Sequence, residues 1–421
     1  MTQSAEERAP ETVAKAGGNA HIAYVAPDAF MGGIGATAEG GRLAVTRLVL
    51  TDFRCYRQAR LAVDARPVVL TGPNGAGKTN LLEAISFLAP GRGLRRARLG
   101  EIDRRSAPES TTTAPAGAWA VAADVATSRH TVQIGTGREA TASGGERRVV
   151  RIDGAPARSQ TVLAEHVNLV WLTPQMDRLF IEGAAPRRRF LDRLVYGFDP
   201  EHAPRLAAYE QALRERGTLL REGRIDAAWL GALEESMARH GVAIAAARRD
   251  VVARLGRACA DGVAGFPSAA LAAIGAVEAA LTDKPALAVE DELRGRLAAG
   301  RRQDAESGGA AIGPHRSDFA VRHAGTGVAA EQCSTGEQKA LLIAILLAHA
   351  RLQAVLRGVA PVMLLDEIVA HLDRERRRAL FAELIALGAQ AWLTGTDDAF
   401  FVELRGAAQF LSVRDATIAV Q

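Results

Sequence analysis

The chain has 421 residues, 48% of them apolar and 24% charged, with a net charge of +4 and an isoelectric point near 9.2. That balance fits a globular chain with a sizeable core in one large domain or two, and its basic excess permits nucleic-acid binding. It excludes a disulfide framework and a membrane span: Cys55, Cys259 and Cys333 lie far apart, and the longest apolar run, 340–350, is too short and interrupted to cross a bilayer.

Residues 1–43 are polar and glycine-rich and read as a disordered N-terminal extension, with Met31 an alternative start. The first 18 residues lack the basic start and apolar stretch of a signal peptide. From 44 to 71 the pattern predicts strands in "LAVTRLVLTDF", "QARLAVDA" and "PVVLTG". A helix follows in "TNLLEAISFLA", with Leu81, Leu82, Ile85 and Leu88 on one face. Short alternating stretches over 106–170 predict a small antiparallel sheet, and "VNLVWLTP" at 167–174 a buried strand. Arg187 to Arg257 reads as long helices without a strand, carrying 14 arginines against 10 acids. Strand patterns return at "GGAAIGPHRSDFAVRH". A long apolar helix follows in "CSTGEQKALLIAILLAHARLQAV", then a strand in "PVMLLDE", a helix over about 374–387, and strands at "QAWLTG" and "AQFLSV". The chain leaves an α/β unit, makes a helical excursion and returns, which divides it into 44–174, 175–304 and 305–421.

Only four of the 52 basic residues are lysines, and Lys78 stands in "GPNGAGKT". Gly72, Pro73, Asn74, Gly75, Ala76, Gly77, Lys78 and Thr79 match a phosphate-binding loop set between an apolar strand and an amphipathic helix. Glycines let the loop curl so that backbone N–H groups and the helix start face phosphate oxygens. A compact ammonium fits the β/γ-phosphate cradle, where the wide arginine fork does not. Thr79 supplies a hydroxyl for Mg²⁺, so ATP and Mg²⁺ are the expected cofactors. In "VMLLDE" an apolar strand ends in two acids: Asp366 is the expected Mg²⁺ partner, and Glu367 the residue that orients or activates the attacking water. Helix capping is the alternative for both. Ser334, Thr335, Gly336 and Glu337 open the long apolar helix, as an anion site or as an ordinary cap. "AHLD" follows, ending in Asp373.

The order of these motifs resembles the ABC-type ATPases. Within them "LTDFRCY", "GPNGAGKTNLLEAISFLAPGRGLRRAR", "RRRFLDRL", "GPHRSDF", "STGEQKALLIAILLA", "LLDEIVAHLD" and "LTGTD" resemble the RecF family, from about Arg42 to the C-terminus. The resemblance implies an α/β fold: an ABC-type P-loop ATPase head with an inserted helical lobe. It implies a cytoplasmic, ATP-dependent DNA-binding protein of recombinational repair and replication restart, a weak DNA-stimulated ATPase that acts as a switch. Such a protein dimerises on ATP, hydrolyses it slowly and helps load the strand-exchange recombinase at single-strand gaps with a RecR-type mediator. By the same resemblance the helix start at Ser334, Thr335, Gly336 and Glu337 caps the γ-phosphate held by the opposite protomer, and Asp373 is a further nucleotide-binding candidate. Gln175 is a candidate γ-phosphate sensor or a plain surface residue. Thr394 or Thr396 stands where other ABC proteins place a histidine.

Two rival readings are an SMC-like protein and a transporter subunit. The insertion lacks sustained heptads, against the first. Gly72 and Ser334 are 262 positions apart with a basic helical insertion between them, against the second. For DNA the candidates are Arg92, Arg95, Arg96 and Arg98 in "GRGLRRAR", which holds no acid. A solvated arginine turn is the alternative. No aromatics interleave these arginines, so contact independent of base sequence is expected.

Overall fold

The computed structural model describes residues 41–104, 118–141, 144–223 and 226–421. The expected extension over 1–43 lies almost wholly outside them, as does Met31.

Two six-stranded sheets build the head. Ala44–Phe53 pairs antiparallel with Tyr56–Ala62 on one side and with Ala120–Ala126 on the other. Thr131–Ala140, Glu146–Ile152 and the short Ala155–Pro156 continue this sheet. Ala44–Phe53 buries Val45, Leu48, Leu50 and Phe53 in the core and leaves Arg47, Val49 and Thr51 partly open, with a register shift between Val45 and Arg47. The second sheet runs in the order Thr417–Val420, Gln409–Arg414, Val68–Thr71, Ala391–Gly395, Val362–Leu365, Leu169–Leu172. All its pairs are parallel except that of the two C-terminal strands. Its central strands read "VVLT", "AWLTG" and "VMLL" and are buried throughout, because both faces are covered. Val68, Leu70, Val362, Leu364 and Trp392 face the helix Lys78–Ser86 and the antiparallel sheet. Val69, Met363, Leu365 and Leu393 face the helix Thr335–Arg357.

That long helix extends on both sides of the apolar run at 340–350. With 23 residues and a mean hydropathy of 1.7, it is long and apolar enough to cross a bilayer by length and composition. Its residues from Gln338 to Ala350 are buried in the core, which uses the same apolar surface.

The segment after Leu172 is dominated by the helices Ala184–Tyr196, His202–Arg221, Ala227–Ala260, Ala276–Asp283, Ala286–Ala299 and Arg301–Ser307. It also holds a strand that the sequence pattern does not predict. Ala269–Ile274 pairs antiparallel with Asp318–His323. "AALAAI" has neither alternation nor β-branched residues until its end, and only the distant partner makes it extended. The lobe closes around buried ion pairs: Arg216 is held by Glu234 at 3.0 Å, Asp304 at 2.8 Å and the Leu297 carbonyl at 2.7 Å.

Gln390, fully buried, stitches the two sheets together. Its Oε1 accepts from the Val45 amide (2.9 Å) and the Trp392 indole (3.1 Å), and its Nε2 donates to the carbonyls of Val45 (3.0 Å) and Asp64 (2.8 Å). Gln390→Leu keeps the bulk but strands these buried backbone groups. Each such group costs about 1–3 kcal/mol, so a loss of roughly 2–4 kcal/mol is expected in denaturant unfolding. A variant as stable as the parent would show that the stitch is not needed.

Candidate nucleotide site

The phosphate-binding loop sits at the C-terminal end of Val68–Thr71, the central strand of the parallel sheet, with Lys78–Ser86 leaving it. Two of its glycines are required by geometry. Gly72 has φ 148°, and a Cβ there would lie 2.0 Å from the Val413 carbonyl oxygen. Gly77 has φ 116°, and a Cβ there would lie 2.6 Å from the Tyr56 hydroxyl. The Tyr56 hydroxyl in turn donates to the Gly77 carbonyl at 3.2 Å.

Lys78 is buried, and its Nζ donates to the carbonyls of Gly72 (2.7 Å) and Pro73 (2.9 Å). Burial holds the ammonium below its usual range, while Glu367 and Asp366 pull it back up. Asp366 is also buried. Its Oδ1 accepts from Thr79 Oγ1 at 3.0 Å and from Thr394 Oγ1 at 2.8 Å. Burial raises its pKa, the two hydroxyls lower it, and Glu367 raises it further. Thr394 also accepts the Glu367 amide at 2.8 Å. Glu367 itself has φ 51°, a left-handed conformation that costs a non-glycine residue about 1–2 kcal/mol. The structure thus gathers Lys78, Thr79, Asp366, Glu367 and Thr394 at one place. Of the two threonines left open by sequence, Thr394 is buried at the site and Thr396 is exposed.

Residues Ser334 to Glu337 lie at the surface. Ser334 caps Thr335–Arg357: its Oγ accepts the Glu337 amide at 3.3 Å, while Glu337 Oε2 accepts from the Ser334 amide (2.9 Å) and hydroxyl (2.8 Å). Nothing lies within 4 Å of the Cβ position of Gly336. Asp373 is an exposed cap on Arg374–Leu387, accepting the Arg376 amide at 2.8 Å. Gln175 lies on the short turn Pro174–Arg178 and is not buried.

One arginine of the 92–98 group is placed differently from expectation. Arg95 donates to Asn80 Oδ1 (2.7 Å) and Glu83 Oε2 (3.0 Å). Glu83 is fully buried on the P-loop helix, and Arg54 also grips it in two-pronged fashion at 2.8 and 2.7 Å. A buried carboxylate requires this counter-charge, so Arg95 is committed to the fold. Sequence reasoning missed Glu83. The available signal was an acid next to Leu82 on a helix otherwise turned to the core. Arg92, Arg96 and Arg98 make no such buried pair among the described residues.

A mixed sheet with a P-loop at its centre, a Thr–Asp pair beside it and a capped helix start on the surface define a P-loop ATPase of the ABC type. Residues 44–414 match the RecF/RecN/SMC N terminal domain. The chain is 48% identical over 374 residues to the DNA replication and repair protein RecF of Rhizobium rhizogenes, covering 88% of this chain and 97% of that one. It is 49% identical over 377 residues to the RecF of Agrobacterium fabrum, again covering 88% and 97%. The solved structure of the recombination mediator protein RecF-ATPrS in the RecFOR pathway has the same fold. Its TM-score is 0.76 at 21% identity, over 90% of this chain and 99% of that one. The chain belongs to the RecF family of DNA replication and repair proteins.

The raised pKa of Asp366 sets a pH test. Its ionised form is disfavoured in the folded chain, so the cost is present near pH 7 and vanishes once folded and unfolded chains are both protonated. Asp366→Asn should therefore melt higher than the parent at pH 7 in metal-free buffer. The gap should narrow as pH falls into the carboxylate range. An unchanged or lower melting temperature at pH 7 would contradict the assignment of burial as the dominant cause.

Proposed function

We propose that the chain is an ATP-gated DNA-binding switch: it binds Mg-ATP in the P-loop, dimerises on it, and hydrolyses it slowly. The observation that carries this reading is the linked set beside Lys78, in which Thr79 and Thr394 both donate to Asp366 and Thr394 also accepts the Glu367 amide.

In this reading Lys78 exchanges the carbonyls of Gly72 and Pro73 for phosphate oxygens. Free backbone N–H groups of the loop and the start of the P-loop helix would hold the rest of the phosphate chain. Thr79 and Asp366 would hold Mg²⁺, which would supply positive charge to offset that of the phosphates. Glu367 orients the attacking water, and Thr394 fixes its backbone. The exposed cap of Ser334, Thr335, Gly336 and Glu337 meets the phosphate of a second copy, with Asp373 close to the same surface. The family resemblance supports a role at gapped or junction DNA, in the cytoplasm, with a RecR-type mediator, where the dimer helps load the strand-exchange recombinase.

Lys78→Arg should lose ATP binding or its productive geometry in a fluorescent-nucleotide titration. Glu367→Gln should bind ATP and turn it over at least about 100-fold more slowly, within the usual 10²–10⁴ range for such groups. Normal turnover in both variants would remove the P-loop assignment. Ser334→Arg should keep ATP binding but stay monomeric in mass measurements with Mg-ATP. A Ser334→Arg protein that dimerises like the parent would sink the capping of one copy by the other.

A further inference from the structure

A cleft of about 390 Å³ lies past the C-terminal end of the P-loop helix, between the loop that follows it, the edge strand Leu169–Leu172 and the first two helices of the insertion. Four arginines line it: Arg92 and Arg96 from the loop, Arg189 and Arg193 from Ala184–Tyr196. The sequence holds these in two separate motifs, "GRGLRRAR" and "RRRFLDRL", and the fold brings them to one shared space.

The acids lining the cleft do not balance this charge. Asp192 is taken by Arg248, at 2.8 and 2.9 Å, and by His202 at 2.8 Å. Glu210 is exposed and stands 3.8 Å from Arg214 on its own helix. Burial, then Arg96 and Arg188, push the Arg189 guanidinium below its usual range against the pull of Glu182 and Asp192, and Arg96 and Arg189 repel across the cleft. Arg193 lies over the rings of Trp171 (4.1 Å) and Phe190 (5.3 Å), its Nη2 donates to the Trp171 carbonyl at 3.0 Å, and it forms the buried floor of the cleft. Among the described residues, Arg92 and Arg96 have no side-chain partner.

The surroundings of the loop hold it in place. Arg148 from the antiparallel sheet donates to the carbonyls of Phe87, Ala89 and Gly91, which are the loose C-terminal carbonyls of the P-loop helix and the start of the loop. Arg95 points the other way, to Asn80 and Glu83. Arg96 is kept at φ 59°, a strained conformation for arginine. Repulsion between Arg96 and Arg189 and strain at Arg96 are tolerated together where an anion completes the site.

We infer that this cleft seats the phosphodiester backbone of DNA, with Arg92, Arg96 and Arg189 as the phosphate-contacting side chains and Arg193 as the stacked floor. The inference rests on the DNA-binding reading above and gives that reading its surface. Side-chain guanidiniums supply the contacts, and of the two aromatic residues in the lining Trp171 is covered by Arg193, so binding is chiefly to the backbone and insensitive to base sequence. Through Arg95, the same loop is tied to Asn80, the neighbour of Thr79.

The test uses the full chain with Mg-ATP and a fluorescein-labelled gapped duplex, read by anisotropy over a salt series. The triple change Arg92→Ala, Arg96→Ala, Arg189→Ala should weaken binding at least tenfold for every sequence tried. It should also lower the slope of log K against log salt by roughly 0.7–0.9 for each phosphate that is no longer neutralised. The matching triple lysine variant should keep the slope, because lysines also displace counterions. Unchanged affinity and slope in the alanine variant, with the parent binding DNA, would overturn the cleft and leave the DNA reading standing. A parent that binds no DNA with any nucleotide would overturn both. A lysine variant that loses the slope as the alanine one does would mark the arginines as structural and overturn the inference. An alanine variant that loses inorganic tripolyphosphate binding but keeps DNA binding would assign the cleft to a free phosphate compound, with the same result.

Discussion

The head depends on one oxygen atom. Asp366 Oδ1 accepts a hydroxyl from Thr79, on the P-loop helix, and another from Thr394, on the neighbouring strand of the parallel sheet. Three elements, the P-loop helix being 287 positions away from the carboxylate, therefore meet at one buried group. Burial works against its charge, and the two hydroxyls work for it. The balance leaves a site that is ordered and electrostatically unfinished. The same is true of Lys78, held by carbonyls that carry only partial charge. A cation beside Asp366 and an anion beside Lys78 relieve both costs together, which is why a metal-bound polyphosphate suits the site better than either ion alone.

The helix start at Ser334 presents the opposite case. Glu337 already satisfies the Ser334 amide and hydroxyl. In the proposed dimer an incoming phosphate has to displace this carboxylate, so the contact between copies is worth the difference between two anions at one helix end. Small differences suit a switch, since a gap of a few kcal/mol is enough to move a two-state equilibrium in either direction.

The P-loop, Asp366 and Glu367 were legible from sequence because each is a local pattern: glycines at fixed spacing, an apolar run ending in acids. The parallel strands were legible for the same reason, being short continuous apolar runs. Ala269–Ile274 was not, because its extended state comes from a partner some way along the chain rather than from its own alanine-rich residues. Thr417–Val420 was missed likewise, as a short edge strand completed only by Gln409–Arg414. Arg95 looked like its neighbours in "GRGLRRAR", and only the burial of Glu83 separates it from them. Charge clusters in a sequence show how much charge there is, not which side chains are already spoken for.

The strand order of the parallel sheet has a bearing on how the chain is made. Val68–Thr71 is flanked by Ala391–Gly395 and Gln409–Arg414, and Leu169–Leu172 by Val362–Leu365. Each early strand has neighbours only from the last part of the chain. During synthesis the P-loop strand leaves the ribosome long before either flank exists, with two bare apolar edges. Pairing this remote is slow to form and prone to stray association. The antiparallel sheet around Ala44–Phe53 uses nearby partners and can assemble first, shielding the P-loop helix until the C-terminal strands arrive. A nascent chain cut short before the strand Val362–Leu365 would carry a complete phosphate-binding sequence and no sheet in which to place it.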